Sequence, residues 1–208
     1  SPQFFCGWAG TIASWLKQRP FVLEIRDIWP ESLVEVGVLT ASWPARALQW
    51  LEKAMYRSAD HIVTVGQGYR IRMLERGVPP EKISVICNGV DRELFDADSW
   101  TDAPEIPVSP FICSYVGTIG MACGLEVVLR AAALLRERSI GGFVFHLIGD
   151  GAKREELQSA AVKAGLDSVI FLGRKDKSEI PGLLRASNAC LVHLKESELF
   201  KTVLPSKM

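Results

Sequence analysis

The chain has 208 residues, room for one large domain or two small ones, and its 48% hydrophobic and 23% charged residues give the ordinary balance of a soluble globular protein. Lysine plus arginine and aspartate plus glutamate both number 24, so no global basic field exists to recruit nucleic acid, and any anion must be handled locally. The five cysteines, Cys6, Cys87, Cys113, Cys123 and Cys190, form no closely spaced pair; they argue against a zinc site or disulfide framework and read as buried thiols in a reducing cytoplasm.

In chain order, a helix is expected near Gly7 to Lys17, then a buried strand at Phe21-Val-Leu-Glu-Ile25 bounded by Pro20 and by Asp27 to Pro30. A long amphipathic helix starts near Pro44, with Leu48, Leu51, Ala54 and Met55 on one face, and leads into the strand His61 to Val65. Gly66 and Gly68 turn the chain into a helix ending near Gly77, and Ile83 to Ile86 is the next strand. Asn88 to Pro110 is rich in Asp, Ser and Pro, carries no sustained apolar period and reads as an interdomain connection. Strand Phe111 to Val116, a Gly-rich loop, helix Leu125 to Arg138, strand Phe143 to Ile148, helix Lys153 to Ala164, strand Val169 to Leu172, helix Glu179 to Ala186 and strand Cys190 to Leu194 follow. Apolar strands separated by single helices predict parallel sheets covered on both faces, in two doubly wound α/β halves.

No apolar run is long enough to span a bilayer, and Ser1 to Gly10 is not a signal peptide, so the chain reads as soluble or at most peripheral. The helix from Pro44 to Arg57 carries Trp43, Trp50, Arg46, Lys53 and Arg57, which could lie on a membrane surface; packing of its apolar face on the sheet is favoured. There is no initiator Met, and Leu204-Pro-Ser-Lys-Met208 stops where a Pro-Ser pair reads as a helix start, so both ends read as cut.

Gly117-Thr-Ile-Gly120, with Gly124, directly follows a strand, where an open α/β sheet places its ligand, and free amides with flexible glycines there can hold a diphosphate. A tight turn needing glycine for its dihedrals alone is an equal reading. Ile148-Gly-Asp-Gly151 is a second strand-end loop, and Phe171-Leu-Gly173 followed by Arg174, Lys175 and Lys177 a third, with positive charge that faces either phosphate or solvent. Neither a G-x-G-x-x-G nor a Walker sequence is present, which disfavours classical NAD or ATP binding. Arg26-Asp27-Ile-Trp-Pro-Glu31 sets charges just after a buried strand: Arg26 either pairs with Asp27 or Glu31 and fastens the loop, or the cluster orients a sugar hydroxyl or an acidic leaving group. His61 and His146 read as strand residues, His193 is only slightly more suggestive, and no catalytic triad or metal constellation is visible.

Taken together, Phe21 to Ser32, Ala59-Asp-His-Ile-Val-Thr-Val65, Val85-Ile-Cys-Asn-Gly-Val-Asp91, Tyr115-Val-Gly-Thr-Ile-Gly120, Leu147-Ile-Gly-Asp-Gly151, Phe171-Leu-Gly173 and Pro205-Ser-Lys207 strongly resemble glycosyltransferase family 4. The likeness is to the bacterial branch that builds O-antigen, capsule and other exopolysaccharides, N-acetylfucosaminyl transferases included. The resemblance implies a GT-B fold of two Rossmann-like domains, both incomplete here: residues 1–104 from the acceptor-side domain and 105–208 from the donor-binding domain. It implies retention of anomeric configuration, no required metal or other cofactor, and a nucleotide-sugar donor, with UDP the favoured carrier.

On this resemblance Gly117, Thr118 and Gly120 approach the donor diphosphate, Gly149 and Gly151 line the same cleft, and Gly173 and Arg174 lie near the base. Arg26 and Asp27 stand where many relatives carry a His-Asp or similar pair beside the acceptor, which makes them the catalytic candidates, for transition-state or acceptor contacts. The donor loop lacks the Arg and Lys that many members place after its first glycine, so Lys177, Lys201 or Lys207 is expected to supply that charge, Lys201 in a catalytic role. Relatives have a longer N-terminal domain and continue after Pro-Ser-Lys into a helix whose glutamate holds the donor ribose, which leaves open whether this stretch alone is active. The expected reaction moves a sugar, N-acetylated by the family likeness, to a lipid-linked or growing saccharide acceptor, in the cytoplasm or at the inner face of its membrane. A non-catalytic nucleotide-sugar-binding scaffold and a GT-B epimerase are the alternatives.

Overall fold

The computed structural model describes residues 4–35, 37, 43–95 and 109–205. It divides into two compact units, one formed by residues up to Gly89 together with the described residues from Glu196 onward, the other by Val90–Lys195. The boundary expected between residues 104 and 105 lies outside the described residues.

In the first unit β1 (Val22–Ile25), β2 (His61–Thr64) and β3 (Ile83–Val85) form a parallel sheet in that order. Helix α1 (Phe4–Lys17) precedes β1, α3 (Trp43–Ser58) makes the crossover to β2, and α4 (Gln67–Glu75) the crossover to β3. A short α2 (Glu31–Glu35), which the sequence pattern did not suggest, opens directly after Pro30. Phe4, Leu23, Ile25, Met55, Tyr56, Ile62, Met73 and Ile83 pack into one core, which places all three long helices against the same sheet face. Close approach of α1 and α3 depends on Gly7, where a Cβ would stand 2.5 Å from the Met55 sulfur.

The inward face of α3 holds a charge that periodicity alone does not flag. Glu52 is 2% exposed, accepts a 2.6 Å hydrogen bond from Tyr56 Oη, and meets the Arg76 guanidinium at 2.5 Å. Burial raises its carboxyl pKa, against the opposing pull of Arg76. Arg76 also grips Glu31, and Arg72 approaches Glu31 at 3.9 Å, so one ionic network ties α2 to α3 and to the α4 end. Residues after Glu196 fold back over α4: Leu199 is buried with Ile28, Val65 and Tyr69, and Arg72 donates to the Glu198 carbonyl at 2.8 Å.

In the second unit a short α5 (Arg92–Phe95) lies within the stretch expected to be a plain connection. Strands β4 (Phe111–Val116), β5 (Phe143–Ile148), β6 (Val169–Gly173) and β7 (Ala189–Cys190) form a parallel sheet in the order β6-β5-β4-β7. The crossovers are α6 (Glu126–Glu137), α7 (Arg154–Lys163) and α8 (Ile180–Arg185). Tyr115, Ile119, Leu125, Val128, Leu147, Leu157 and Leu166 build the core. The last strand is two residues long rather than running to Leu194. After Leu191 donates to Ser114 O at 2.8 Å the chain leaves the ladder, and Lys195 N and His193 Nδ1 reach Ala122 O and Cys123 O instead.

One sequence expectation is corrected here, and one of two open readings is closed. Of the cysteines read as buried, only Cys123 is; Cys6 faces outward on α1, Cys87 follows the end of β3, Cys190 lies on the edge strand, and all three are exposed, while Cys113 is half-buried. Arg26 pairs with neither expected carboxylate but with Asn88 Oδ1 at 2.8 Å and Glu24 at 3.5 Å, because Glu31 is held by Arg76 and Arg72.

Removing the Arg76 guanidinium strands the Glu52 carboxylate in the core, so Arg76→Ala is expected to lose about 3 kcal/mol in urea unfolding. Adding Glu52→Gln should restore about 1 kcal/mol or more, since a neutral amide needs no counter-charge. A single variant with the wild-type midpoint would show that the network does not hold the fold.

Candidate functional site

In the second unit β7 is added on the far side of β4, so the chain reverses its direction across the sheet at β4, where open parallel sheets form ligand crevices at the strands' carboxyl ends. A crevice of about 340 Å3 lies there, lined by Val116, Gly117, Thr118, Ile148, Gly149, Asp150, Arg174, Lys175 and Ile180. The loops after β4, β5 and β6 thus converge, as their strand-end positions suggested.

The β4 and β5 loops are stitched together through backbone. Gly117 N donates to Ile148 O at 2.9 Å, Ile119 N to Asp150 O at 2.8 Å, Lys153 N to Ile119 O at 3.0 Å, and Gly149 N to Gly173 O at 2.8 Å. Gly149 sits at φ +137, and a Cβ there would fall 1.9 Å from Gly117 O; at Gly151, φ +153, it would fall 2.5 Å from Ile119 O. These glycines are required by the approach of one loop to the other, whatever else they line. With Gly117 N and Ile119 N turned inward, the amides of Thr118 and Gly120 have no protein acceptor among the described residues.

Beneath the loop, Tyr115 Oη donates to Thr118 O at 2.7 Å and the Cys123 thiol reaches the same carbonyl at 3.1 Å. His193 Nδ1 donates to Cys123 O at 2.7 Å, which gives this histidine a fastening role. A 3-10 turn, Met121–Cys123, and Gly124 at φ +58 separate the loop from α6, so Gly117 to Gly120 does not run straight into a helix start.

Positive charge is divided among several residues. Arg174 and Lys175 line the crevice, and Lys175 comes within 3.8 Å of Glu179. Lys177 is outside the lining, exposed, and paired with Asp91 at 2.8 Å, a contact that holds the Asp91 carboxyl below its ordinary range. Arg154, which the sequence did not single out, lies against Gly173 and within 3.8 Å of Asp150, with its Nε buried and lacking a partner among the described residues. The available signal was an arginine opening the helix after the Gly-Asp-Gly turn. Lys207 lies outside the described residues.

Arg26, Asp27 and Lys201 belong to the first unit. Asp27 is exposed at the end of β1, yet desolvation by its neighbours raises its carboxyl pKa against the charge of Arg26. The buried Tyr69 phenol is pushed up to about 12 by burial and by the Asp27 charge. Lys201 is exposed and paired with Glu198 at 2.6 Å, which raises its ammonium pKa.

Gly149→Ala is expected to lower stability by about 2 kcal/mol or more, because both its dihedrals and its Cβ conflict with Gly117. Gly141→Ala, where nothing lies within 4 Å, should change it by less than about 0.5 kcal/mol. Equal melting temperatures for the two variants would contradict the loop contact.

Residues 1–89 match the model of the glycosyl transferase 4-like domain and residues 96–204 that of glycosyl transferases group 1. Among curated relatives, WbjE of Pseudomonas aeruginosa, described as a probable glycosyltransferase, is 30% identical over 90% of this chain and 47% of its own length. WcaI of Escherichia coli (strain K12), named for colanic acid biosynthesis, is 25% identical over 100% of this chain and 52% of its own. The chain therefore spans about half the length of these relatives. Anabaena HepE, solved in complex with UDP and glucose, superposes with a TM-score of 0.66 at 22% identity, over 90% of this chain and 50% of that one. With the group 1 model alone covering more than half of it, and with two parallel α/β units of the GT-B kind, the chain belongs to the glycosyl transferases of group 1.

Proposed function

We propose that the protein is a nucleotide-sugar-dependent glycosyltransferase of cell-surface polysaccharide biosynthesis, and that the second unit is the donor-binding side and the first the acceptor side. The observation that carries this is the convergence of three strand-end loops on one crevice, with Arg174 and Lys175 at its wall and the Thr118 and Gly120 amides open. Backbone amides aimed at an anion and fixed by packing need no reorganisation when charge develops, which is the chemistry a departing nucleoside diphosphate requires. UDP is the favoured carrier; HepE, which shares the fold, was solved with UDP and glucose. The sugar is an N-acetylated hexose transferred with retention and without a required metal, and the acceptor is a lipid-linked or growing saccharide at the inner face of the cytoplasmic membrane.

In this reading Gly117, Thr118, Gly120, Gly149 and Gly151 form the diphosphate cradle, and Gly173 and Arg174 lie by the base. Lys177 is given a peripheral role, because it lies outside the crevice lining and reaches Asp91 instead. Arg154 joins the set as a further cation beside Gly173. Arg26 and Asp27 contact the acceptor, and the raised Asp27 pKa suits a carboxyl that exchanges hydrogen bonds with sugar hydroxyls. Lys201 and Lys207 are assigned to the diphosphate, Lys201 in the transition state.

Calorimetric titration of the intact protein should show saturable UDP binding that is at least about tenfold tighter than GDP binding, the contrast being set by contacts to the base. Incubation with radiolabelled UDP-sugars and a polyprenyl-linked saccharide should give transfer with the donor's anomeric configuration preserved. Lys201→Ala should cut kcat by about tenfold or more with little change in UDP affinity. Unchanged turnover would remove Lys201; donor binding without transfer to any saccharide would leave a binding protein, and epimerised free sugar from donor alone an epimerase.

A further inference from the structure

Three contacts meet at the Thr118 carbonyl in the loop after β4. Tyr115 Oη donates to it at 2.7 Å, the Cys123 thiol at 3.1 Å, and the phenol oxygen lies 3.2 Å from the sulfur. Tyr115 is 0% exposed and Cys123 9%, so both donors reach the carbonyl from inside the protein. Burial and the Cys123 contact push the Tyr115 phenol well above its ordinary range, and it stays a proton donor. A loop carbonyl turned to solvent is satisfied by water; this one takes two donors from the core instead.

That carbonyl shares one planar peptide unit with the Ile119 amide, which donates to Asp150 O at 2.8 Å. Both polar ends of the unit are thus tied, one to side chains beneath the loop and the other to the β5 loop. The peptide units on either side of it carry the Thr118 and Gly120 amides, the two with no protein acceptor among the described residues. With the plane between them fixed, the Thr118 amide can turn only about the Thr118 α-carbon and the Gly120 amide only about that of Ile119. Ile119 is itself 0% exposed, which holds the second of these pivots. Cys123 is braced in turn, because His193 Nδ1 donates to its carbonyl at 2.7 Å and Lys195 N to Ala122 O at 2.9 Å. The chain that leaves β7 early therefore supports the turn from which the thiol reaches Thr118.

We propose that Tyr115 and Cys123 are positioning residues for the donor: by holding the Thr118 carbonyl they aim the Thr118 and Gly120 amides at its diphosphate without touching it. The inference rests on the donor reading of the crevice and adds to it two residues that the glycine pattern of the loop does not mark. A peptide fixed before the ligand arrives loses no freedom on binding, and amides that need not reorient stabilise an anion more strongly. The effect is confined to the diphosphate, since Arg174 and Lys175, by the base in the same reading, belong to the loop after β6.

The test compares UDP with uridine, which has the base and ribose but no phosphate, on the intact protein, by calorimetry for UDP and by NMR titration for uridine. Tyr115→Phe keeps the ring and removes only the hydroxyl. It should weaken UDP binding about tenfold and leave uridine binding within about twofold of wild type. Cys123→Ala should weaken UDP about threefold, the thiol being the poorer donor, whereas Cys123→Ser, which keeps a donor, should stay within about twofold of wild type. Tyr115→Phe that binds UDP as tightly as wild type would overturn the role. So would equal weakening of UDP and uridine, the mark of a loosened unit rather than of misdirected amides. Wild type that binds no UDP sinks the donor reading, and this role falls with it; UDP bound alike by wild type and Tyr115→Phe sinks the role alone.

Discussion

The crevice of the second unit is organised by one backbone contact, the approach of the β4 loop to the β5 loop at Gly117 and Gly149. The two strand-end loops share the crevice with their main chains within hydrogen-bonding distance, and no side chain fits at 149 or 151 without displacing Gly117 or Ile119. The inward bonds of Gly117 N and Ile119 N fix the loop's orientation, and Tyr115 and Cys123 hold Thr118 O from below. What is left over, the Thr118 and Gly120 amides with Arg174 and Lys175 nearby, is the surface an anionic ligand would meet. Rigidity here matters, because dipoles that must reorient at the moment of reaction lose most of their stabilising effect.

The first unit solves a different problem, which is to hold charged residues at the end of a buried strand. Glu52 and Arg76 form an ion pair within it, and Arg76 reaches on to Glu31, so that α2 and the chain from Asp27 are anchored from the core outward. This frees Arg26 and Asp27 from fastening the loop themselves: Arg26 is held to Asn88 and Glu24, and Asp27 stays exposed. The same sheet face that supports this network carries α1 and α3, whose far sides are apolar and basic.

Much of this was legible in the sequence where the signal was local and periodic. The alternation of apolar strands and single helices gave the parallel sheets, and glycines directly after Val116 and Ile148 marked the strand-end loops. Tertiary partners were not legible. Nothing local to Glu52 says that it faces inward, because its partner Arg76 is 24 residues away. Arg26 was weighed against the carboxylates beside it, whereas its partner Asn88 is 62 residues away. The strand expected to reach Leu194 stops at Cys190 because His193 and Lys195 are drawn to the β4 loop, a competition that apolar periodicity does not register. The exposed cysteines are a failure of composition-based reasoning, which assigns burial by residue type.

The most direct test of the donor-crevice account is amide hydrogen exchange by NMR on the intact protein, with and without saturating UDP. The account predicts that Gly117 and Ile119 are protected in both states, and that Thr118 and Gly120 exchange freely alone and become protected with UDP. UDP that saturates the protein while leaving Thr118 and Gly120 unprotected would contradict it.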